Sequence, residues 1–255
     1  MNDMIDIRGA MLEVAHWPSD APRGDAPPIL MLHEGLGSLG LWRDFPQRVA
    51  EASGCDVYAY SRIGYGRSDP FRAPRTPAYL HEQAQVDLPA VVAALGLERP
   101  VLFGHSDGGS IALIAAGSTD LALAGVVVMA PHVRVEAVTL RGIEAAARQW
   151  ACSDWPQRLA RHHRDAPAVF AAWRDTWLAP DFRDWNIEHL LPAIACPVLA
   201  IQGEDDEYGT MAQIDRIAAA APEARLLKLP GCGHVPHRDC PDQVLDAVAG
   251  FVATL

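Results

Sequence analysis

Short apolar runs alternate with longer amphipathic stretches along the chain. The runs predict strands at 5–7, 11–15, 29–32, 57–60, 101–103, 125–130, 197–202 and 224–229. The stretches between them predict helices near 41–52, 77–96, 107–116, 211–220 and 241–253. Because most of the runs are apolar without interruption, we expect strands buried on both faces, as in a parallel sheet. The alternation predicts an α/β fold, with a mostly parallel twisted sheet of about eight strands and helices on both faces.

One interval interrupts this alternation. Between 131 and 195 the sequence predicts helices and no strand. Five of the seven tryptophans lie in it, namely Trp150, Trp155, Trp173, Trp177 and Trp185. A helical insertion after a core strand predicts a cap, or lid, at 131–195 over a core formed by 1–130 and 196–255.

Composition and charge narrow the functional class. The 255 residues are 50% hydrophobic and 21% charged, as in an ordinary globular protein, and the formal net charge is -11. Without a block of basic residues, the chain is a poor partner for nucleic acids or anionic membranes. The first residues have no cationic segment followed by an apolar one, and no apolar stretch is long enough to span a bilayer. We therefore expect a cytoplasmic protein.

Neither the cysteines nor the histidines indicate a metal site. The five cysteines are Cys55, Cys152, Cys196, Cys232 and Cys240. Their scattered spacing predicts free thiols, without a disulfide framework or a zinc site. The pairs in "HHR" at 162 and "HVPH" at 234 are more typical of solvated or catalytic histidines than of metal ligands.

The stretch "VLFGHSDGGSIALIAA" at 101–116 joins a buried strand to a helix without a loop. It places Ser106 between Gly104 and Gly108 in the pattern G-x-S-x-G, typical of a sharp strand-to-helix turn that exposes a nucleophilic serine. The turn also places Ser106 at a helix N-terminus, where free N–H groups favour an oxyanion. The alternative is a glycine-rich turn with an incidental serine.

A serine needs a base to take its proton, and the base needs an acid to fix its tautomer. The chain offers both after later strands: the carboxylates of "GEDDEYG" follow 197–202, and His234 in "GCGHVPH" follows 224–229. Parallel strands bring these ends to the same edge of the sheet as Ser106. On its own, His234 would be interpreted as an ordinary loop histidine.

Taken together, these motifs resemble those of the α/β-hydrolase fold enzymes, and the resemblance covers nearly the whole chain. It implies that Ser106 is the nucleophile and His234 the general base. It also implies that Asp206 is the acid, since it stands three residues after a glycine in the family's G-x-x-D pattern. Asp205 and Glu204 stay open as alternative acids. The insertion at 131–195 lies where the family places its cap.

The same resemblance implies an oxyanion hole made by the N–H of Asp107 and an N–H from the loop "HEGLGS". The family usually has glycine directly after the histidine, where this chain has Glu34. The second donor is therefore assigned to Gly35, with Leu36 as the alternative. A carboxylate in the hole would repel the oxyanion, so we expect Glu34 to turn away and hydrogen-bond locally. We expect the Asp107 carboxylate to face away and interact with the first helical turn.

A competing interpretation uses the same loop. Gly35, Gly37 and Gly40 spell G-x-G-x-x-G between a strand and a helix, and Arg62 could suit a nucleotide phosphate. However, Glu34 would repel a pyrophosphate, and a dinucleotide site leaves the serine, acid and histidine motifs unexplained.

The aromatic residues of the insertion predict a substrate pocket. Phe170, Trp173 and Trp177 recur at i, i+3 and i+7, so they share one stripe of a helix. A cap inserted after 125–130 lies over the edge where Ser106 emerges, which favours an acyl pocket lined by Trp173 and Trp177. Packing of the cap onto the core is the alternative.

The sequence thus predicts a serine hydrolase that cleaves a small or medium carboxylic ester, thioester or lactone through an acyl-enzyme, with no cofactor. Its expected partner is a small ester-like molecule, and a homodimer stays open. The alternatives are a carbon–carbon bond hydrolase of ring-cleavage products, a cofactor-free oxygenase and a ligand receptor. Carbon–carbon hydrolases tend to have tryptophan after the base, where this chain has Val235.

Overall fold

Residues 3–255, which the computed structural model describes, contain eight strands in one sheet. They are β1 (Asp3–Ile7), β2 (Ala10–Trp17), β3 (Ile29–Leu32), β4 (Val57–Tyr60), β5 (Val101–His105), β6 (Gly125–Met129), β7 (Val198–Gly203) and β8 (Ala224–Leu229). The strand order is β1-β2-β4-β3-β5-β6-β7-β8. Strand β2 is antiparallel to β1 and β4, and all other neighbours are parallel. The predicted mostly parallel sheet is confirmed.

The first two strands form a hairpin with a two-residue turn. Arg8 and Gly9 both have positive φ, 55° and 77°. Two left-handed residues in succession match the right-handed twist of paired strands, so the chain reverses directly and Ile7 pairs with Ala10. Both strands are longer than the alternation alone predicts, because main-chain pairing continues beyond the apolar positions.

Helices fill the connections between strands. They are α1 (Phe45–Ser53), α2 (Tyr79–Glu82), α3 (Leu88–Ala94), α4 (Asp107–Ser118), α5 (Ala137–Cys152), α6 (Trp155–Leu159), α7 (Ala166–Leu178), α8 (Ala212–Ala220), α9 (Pro236–Asp239) and α10 (Pro241–Val252). In this described part of the chain, no helix combines the length and apolar character needed to cross a membrane.

Two buried cores lie on opposite faces of the sheet. In β5, the side chains of Val101 and Phe103 belong to one core and that of Leu102 to the other. Helices α1 and α10 cover the first core, and α4 and α8 cover the second. The period of two in each strand explains why the parallel strands are apolar at every position.

The helix predicted at 77–96 is divided into three pieces. A π-helical turn, Gln83–Asp87, separates α2 from α3. Pro89 lies in the first turn of α3, where it lacks an N–H and its ring excludes an ordinary bond to the carbonyl four residues earlier. The wider turn accommodates this defect.

The interval 131–195 contains α5, α6 and α7, two short 3₁₀ turns and one isolated β-bridge between Arg134 and Asn186. It lies between β6 and β7 in the chain, as the tryptophan-rich insertion predicts. Its description as a separate cap domain stays a prediction.

Candidate active site

Ser106 occupies a sharp turn between β5 and α4. Its backbone has φ 52° and ψ −117°, a region that residues other than glycine seldom adopt. A Cβ at Gly104 would overlap the carbonyl of Gly108, and a Cβ at Gly108 would overlap the carbonyl of Leu32. The two glycines of the motif are therefore required by the packing of the turn, which leaves the serine hydroxyl at the carboxyl edge of the sheet.

The three side chains predicted to act together do lie together. His234 Nε2 is 3.0 Å from Ser106 Oγ, and His234 Nδ1 is 2.9 Å from each carboxylate oxygen of Asp206. Asp206 follows β7, His234 follows β8 and Ser106 follows β5. The carboxyl ends of these three parallel strands meet at one edge of the sheet. The alternative acids Glu204 and Asp205 are exposed. The arrangement can move a proton from the hydroxyl to an imidazole held by a carboxylate.

Asp206 and His234 stabilise each other's charged forms. Burial alone raises the pKa of Asp206, whose side chain is 1% exposed, but the adjacent His234 lowers it below its usual value. Burial lowers the pKa of His234, and the Asp206 carboxylate outweighs this and raises it above its usual value. The backbone N–H of Tyr208 and the side chain of Gln202 also donate to Asp206.

The loop after β3 contributes Gly35 and Leu36 to the lining of the cavity beside Ser106. Within residues 3–255, the N–H groups of Gly35 and Leu36 have no hydrogen-bond acceptor. The Glu34 carbonyl accepts from Arg62 Nη2 at 2.8 Å, and the Gly35 carbonyl accepts from the Tyr65 hydroxyl at 2.9 Å. Because C=O and N–H of a trans peptide point in opposite directions, both N–H groups are turned away from these partners.

The side chain of Glu34 does not make the local hydrogen bond that the sequence predicts. Its carboxylate lies 3.6 Å from His105 Nδ1, an ion-pair distance, and against Gly37. Burial raises the pKa of Glu34, but His105 outweighs this and holds it well below its usual value. His105 Nε2 in turn lies 2.7 Å from the backbone carbonyl of His234. Glu34 is thus connected to the segment that carries the histidine.

Asp107 also differs from expectation. Its carboxylate accepts from the Tyr79 hydroxyl at 2.9 Å and lies 3.8 Å from Arg62 Nη1, instead of bonding the first turn of α4. Trp177 Nε1 donates to the same Tyr79 hydroxyl at 2.9 Å. Two buried groups that lie far from Asp107 in the sequence therefore hold this carboxylate.

A cavity of about 240 Å³ opens beside Ser106. This is below the range of roughly 300–1,000 Å³ typical of drug-sized ligands, so it suits a small substrate. From the 131–195 interval it is lined by His132, Thr139, Ile143, Trp155, Leu159, Trp173 and Trp177. The predicted stripe divides: Trp173 and Trp177 line the cavity, whereas Phe170 stacks on Trp150 at 4.0 Å.

Several cavity residues were missed by the sequence reasoning, and His132 and Tyr208 are the two whose rings pack on the site. The ring of His132 packs against Trp177. Burial, and to a smaller extent the charge of the neighbouring His234, lowers the pKa of His132 to about 4, so its ring is neutral at neutral pH. Tyr208 packs against His234, with ring centroids 4.7 Å apart. Both follow a parallel strand by a few residues, and that position at the sheet edge is the signal that could have found them.

The structure gives no support to a dinucleotide site in this loop. Arg62 is 2% exposed and donates to Gln83 and to the Glu34 carbonyl, so its guanidinium is already occupied. The first α-helix after the glycines begins only at Phe45. Across residues 3–255, no three histidine, cysteine or acidic side chains are grouped so as to hold a metal ion.

Known proteins with similar sequences and structures were compared with the chain. Residues 29–247 match the profile of the alpha/beta hydrolase family. A pimeloyl-(acyl-carrier protein) methyl ester esterase of Xanthomonas campestris is 27% identical, over 91% of this chain and 97% of that protein. The sn-1-specific diacylglycerol lipase ABHD11 of Mus musculus is 24% identical, over 90% and 83%. A proline iminopeptidase of Mycobacterium smegmatis has the same fold, with a TM-score of 0.77 at 21% identity over 100% and 98%.

Proposed function

The chain belongs to the alpha/beta hydrolase family and is an enzyme of the hydrolase class, and from this we propose that it is a serine hydrolase that cleaves a small or medium carboxylic ester, thioester or lactone. The single observation that carries the proposal is the hydrogen-bonded series Ser106–His234–Asp206 at the base of a small, mostly apolar cavity. The Xanthomonas relative, named as a methyl ester esterase, supports the choice of ester chemistry.

In the proposed reaction, Ser106 Oγ attacks the carbonyl carbon while His234 Nε2 takes the hydroxyl proton. Asp206 stabilises the imidazolium that forms and keeps Nδ1 protonated. The N–H groups of Asp107 and Gly35, with Leu36 as the alternative to Gly35, donate to the oxyanion. His234 then protonates the leaving group, and a water molecule, deprotonated by the same nitrogen, hydrolyses the acyl-enzyme.

A panel of p-nitrophenyl esters, lactones and thioesters of graded acyl length tests this function. We expect turnover that is fastest for short acyl groups, because the cavity is small. A burst of p-nitrophenol equal to the enzyme concentration would report the acyl-enzyme. Oxygen consumption without ester turnover would favour an oxygenase, cleavage of a ring-cleavage product alone would favour a carbon–carbon hydrolase, and binding without turnover would favour a receptor. Each of these outcomes contradicts the proposal.

Trp173 is the proposed wall of the acyl site. Its ring lies on Gly35, where a Cβ would come within 2.5 Å of it, so it borders both the cavity and the proposed oxyanion loop. We expect Trp173→Ala to raise kcat/KM for long acyl esters relative to short ones by about tenfold or more, since removing an aromatic wall changes apolar binding by a few kcal/mol.

The matched control for Trp173→Ala is Trp185→Ala, which removes an equally buried tryptophan that does not line the cavity. We expect it to lower the melting temperature without changing the chain-length profile. Trp177→Phe tests the second proposed wall residue, because it keeps an aromatic ring but removes the N–H that holds Tyr79. If Trp173→Ala also leaves the profile unchanged, the stripe only packs the interval onto the core.

The remaining features stay predictions from the sequence. They are a cap domain at 131–195 and a cytoplasmic location, and a homodimer stays open.

A further inference from the structure

A surface groove lies where the 131–195 interval meets the rest of the chain, and arginines surround it. Its walls include Arg67, Arg161, His162 and Arg164. Arg238 donates to the carbonyl of Leu41, the residue after Gly40 in the groove wall, and Arg43 stands three residues after Gly40. After burial, the charges of Arg43, Arg238 and Arg161 lower the pKa of His162. We name Arg43, Arg67, Arg161, His162, Arg164 and Arg238 the arginine groove. All five of its arginines are exposed.

The arginine groove holds five arginines against one acid in its wall, Glu13, and so carries a net positive charge. The ion pairs found within residues 3–255 include none of its five arginines. Glu13, the acid in its wall, is 4% exposed and accepts from the Ser61 hydroxyl and the backbone N–H of Arg67. Asp165 accepts from the backbone of α7. In a chain of net charge -11, such a cluster of like charges indicates an anionic ligand.

The arginine groove continues into the cavity beside Ser106. Arg238 lines that cavity and donates from Nη2 to the Leu41 carbonyl at 3.0 Å, and Leu41 is itself a cavity residue. Gly40, the next residue back, lines the groove, where a Cβ would lie 3.4 Å from His162 Nδ1. Leu159 lines the cavity, and the groove begins two residues later. The basic surface therefore adjoins the cavity that holds the reacting atoms, and Arg238 lies where the two meet.

We propose that the arginine groove binds the phosphate groups of a leaving thiol, so that the preferred substrate is an acyl thioester of a phosphorylated carrier. This inference rests on the proposed serine hydrolase function. Ser106 Oγ bonds to the carbonyl carbon and the carbon–sulfur bond breaks. The proton that His234 took from Ser106 goes to the sulfur, and water then releases the carboxylic acid. Guanidinium groups recognise phosphate by paired, charge-assisted hydrogen bonds.

The experiment compares three butyryl thioesters: those of pantetheine, of 4′-phosphopantetheine and of coenzyme A. We expect kcat/KM to rise by at least about tenfold over the pantetheine thioester when phosphate is present, mainly through a lower KM, and this gain to shrink with added salt. A rise at 4′-phosphopantetheine indicates a carrier with that single phosphate. A rise at coenzyme A alone indicates the nucleotide phosphates. Equal kcat/KM for all three overturns the proposal.

The double variant Arg43→Gln/Arg161→Gln removes two charges from the groove without altering a cavity residue. We expect it to lose the phosphate-dependent gain and to keep wild-type turnover of the pantetheine thioester. The control Arg183→Gln/Arg225→Gln removes two exposed charges elsewhere and should keep the gain. If the groove variant slows all three thioesters equally, the arginines only support the local structure and the proposal fails.

Two further measurements separate this proposal from the function on which it rests. If p-nitrophenyl butyrate is turned over but phosphate gives no gain with the thioesters, the proposed phosphate site is wrong and the proposed serine hydrolase function stands. Calorimetric titration with coenzyme A and with pantetheine needs no turnover. Binding of coenzyme A that weakens at least about tenfold in the groove variant supports the site even if esters are not cleaved, and equal binding by both proteins overturns it.

Discussion

Ser106→Ala is expected to abolish covalent labelling by a fluorophosphonate and to lower kcat for a short p-nitrophenyl ester by on the order of 10⁶. Only a serine whose proton is taken by a base attacks phosphorus readily, and the Ser106 hydroxyl lies 3.0 Å from Nε2 of His234, the proposed base. Intact-protein mass spectrometry should show one added phosphonyl group on the wild type and none on the variant.

Ser118→Ala is the matched control, since Ser118 is an exposed serine at the other end of the same helix. Its labelling and turnover should equal those of the wild type. Circular dichroism of both variants should show a folded protein. Labelling that persists in Ser106→Ala would mean that another residue is the nucleophile.

Asp206→Asn is expected to lower kcat by on the order of 10⁴ without unfolding the protein. The asparagine N–H₂ would face His234 Nδ1 as a donor and so favour the tautomer with the proton on Nε2, which cannot accept the serine proton. Most of the existing contacts survive the change, because the amide oxygen can keep accepting from the N–H groups of Tyr208 and Gly209. A flip of the Gln202 amide supplies an acceptor for the new N–H₂ and gives up the bond from Gln202 Nε2 to the Gly209 carbonyl.

The pH dependence of the same variant gives a second measurement. The proposed mechanism needs neutral His234. Because Asp206 raises the pKa of His234, the acid limb of kcat/KM in the wild type should have its midpoint above the usual value of about 6.5. In Asp206→Asn, burial still lowers the pKa of His234 and the Asp206 carboxylate no longer raises it. The acid limb of the residual activity should therefore have its midpoint at a lower pH than in the wild type. Asp205→Asn, an exposed neighbour, should change neither kcat nor the midpoint. The reverse result would show that Asp205 is the acid.

Much of this fold could be predicted because the alternation of strands and helices is regular. Ser106, Asp206 and His234 come together for a topological reason: each follows a strand of one parallel sheet, and the carboxyl ends of such strands meet at one edge. Gly104 and Gly108 were predictable for a local reason, since two backbones approach closely at the turn.

Contacts that depend on side-chain direction could not be predicted in this way. Glu34 reaches His105 at the end of the neighbouring strand β5, and Asp107 reaches Tyr79 in a different connection. Both acids follow a strand. The sequence pattern of a strand predicts where such an acid lies, but it does not predict the rotamer of its side chain or which residues of other connections it contacts. Trp177 completes this network from the 131–195 interval, and the orientation of that interval on the sheet is not encoded in any local motif.

The backbone conformation of Ser106 lowers the stability of the protein, although the proposed activity needs a serine there. A residue with a Cβ held at φ 52° and ψ −117° costs roughly 1–3 kcal/mol relative to relaxed backbone, and glycine largely avoids this cost, although its freer unfolded chain cancels part of the gain. In directed evolution for heat resistance alone, we therefore expect Ser106→Gly among the improved clones, although it removes the proposed nucleophile. A library of this protein that is screened for thermal tolerance should be screened for turnover at the same time, because loss of the proposed nucleophile and a gain in stability can come from the same substitution.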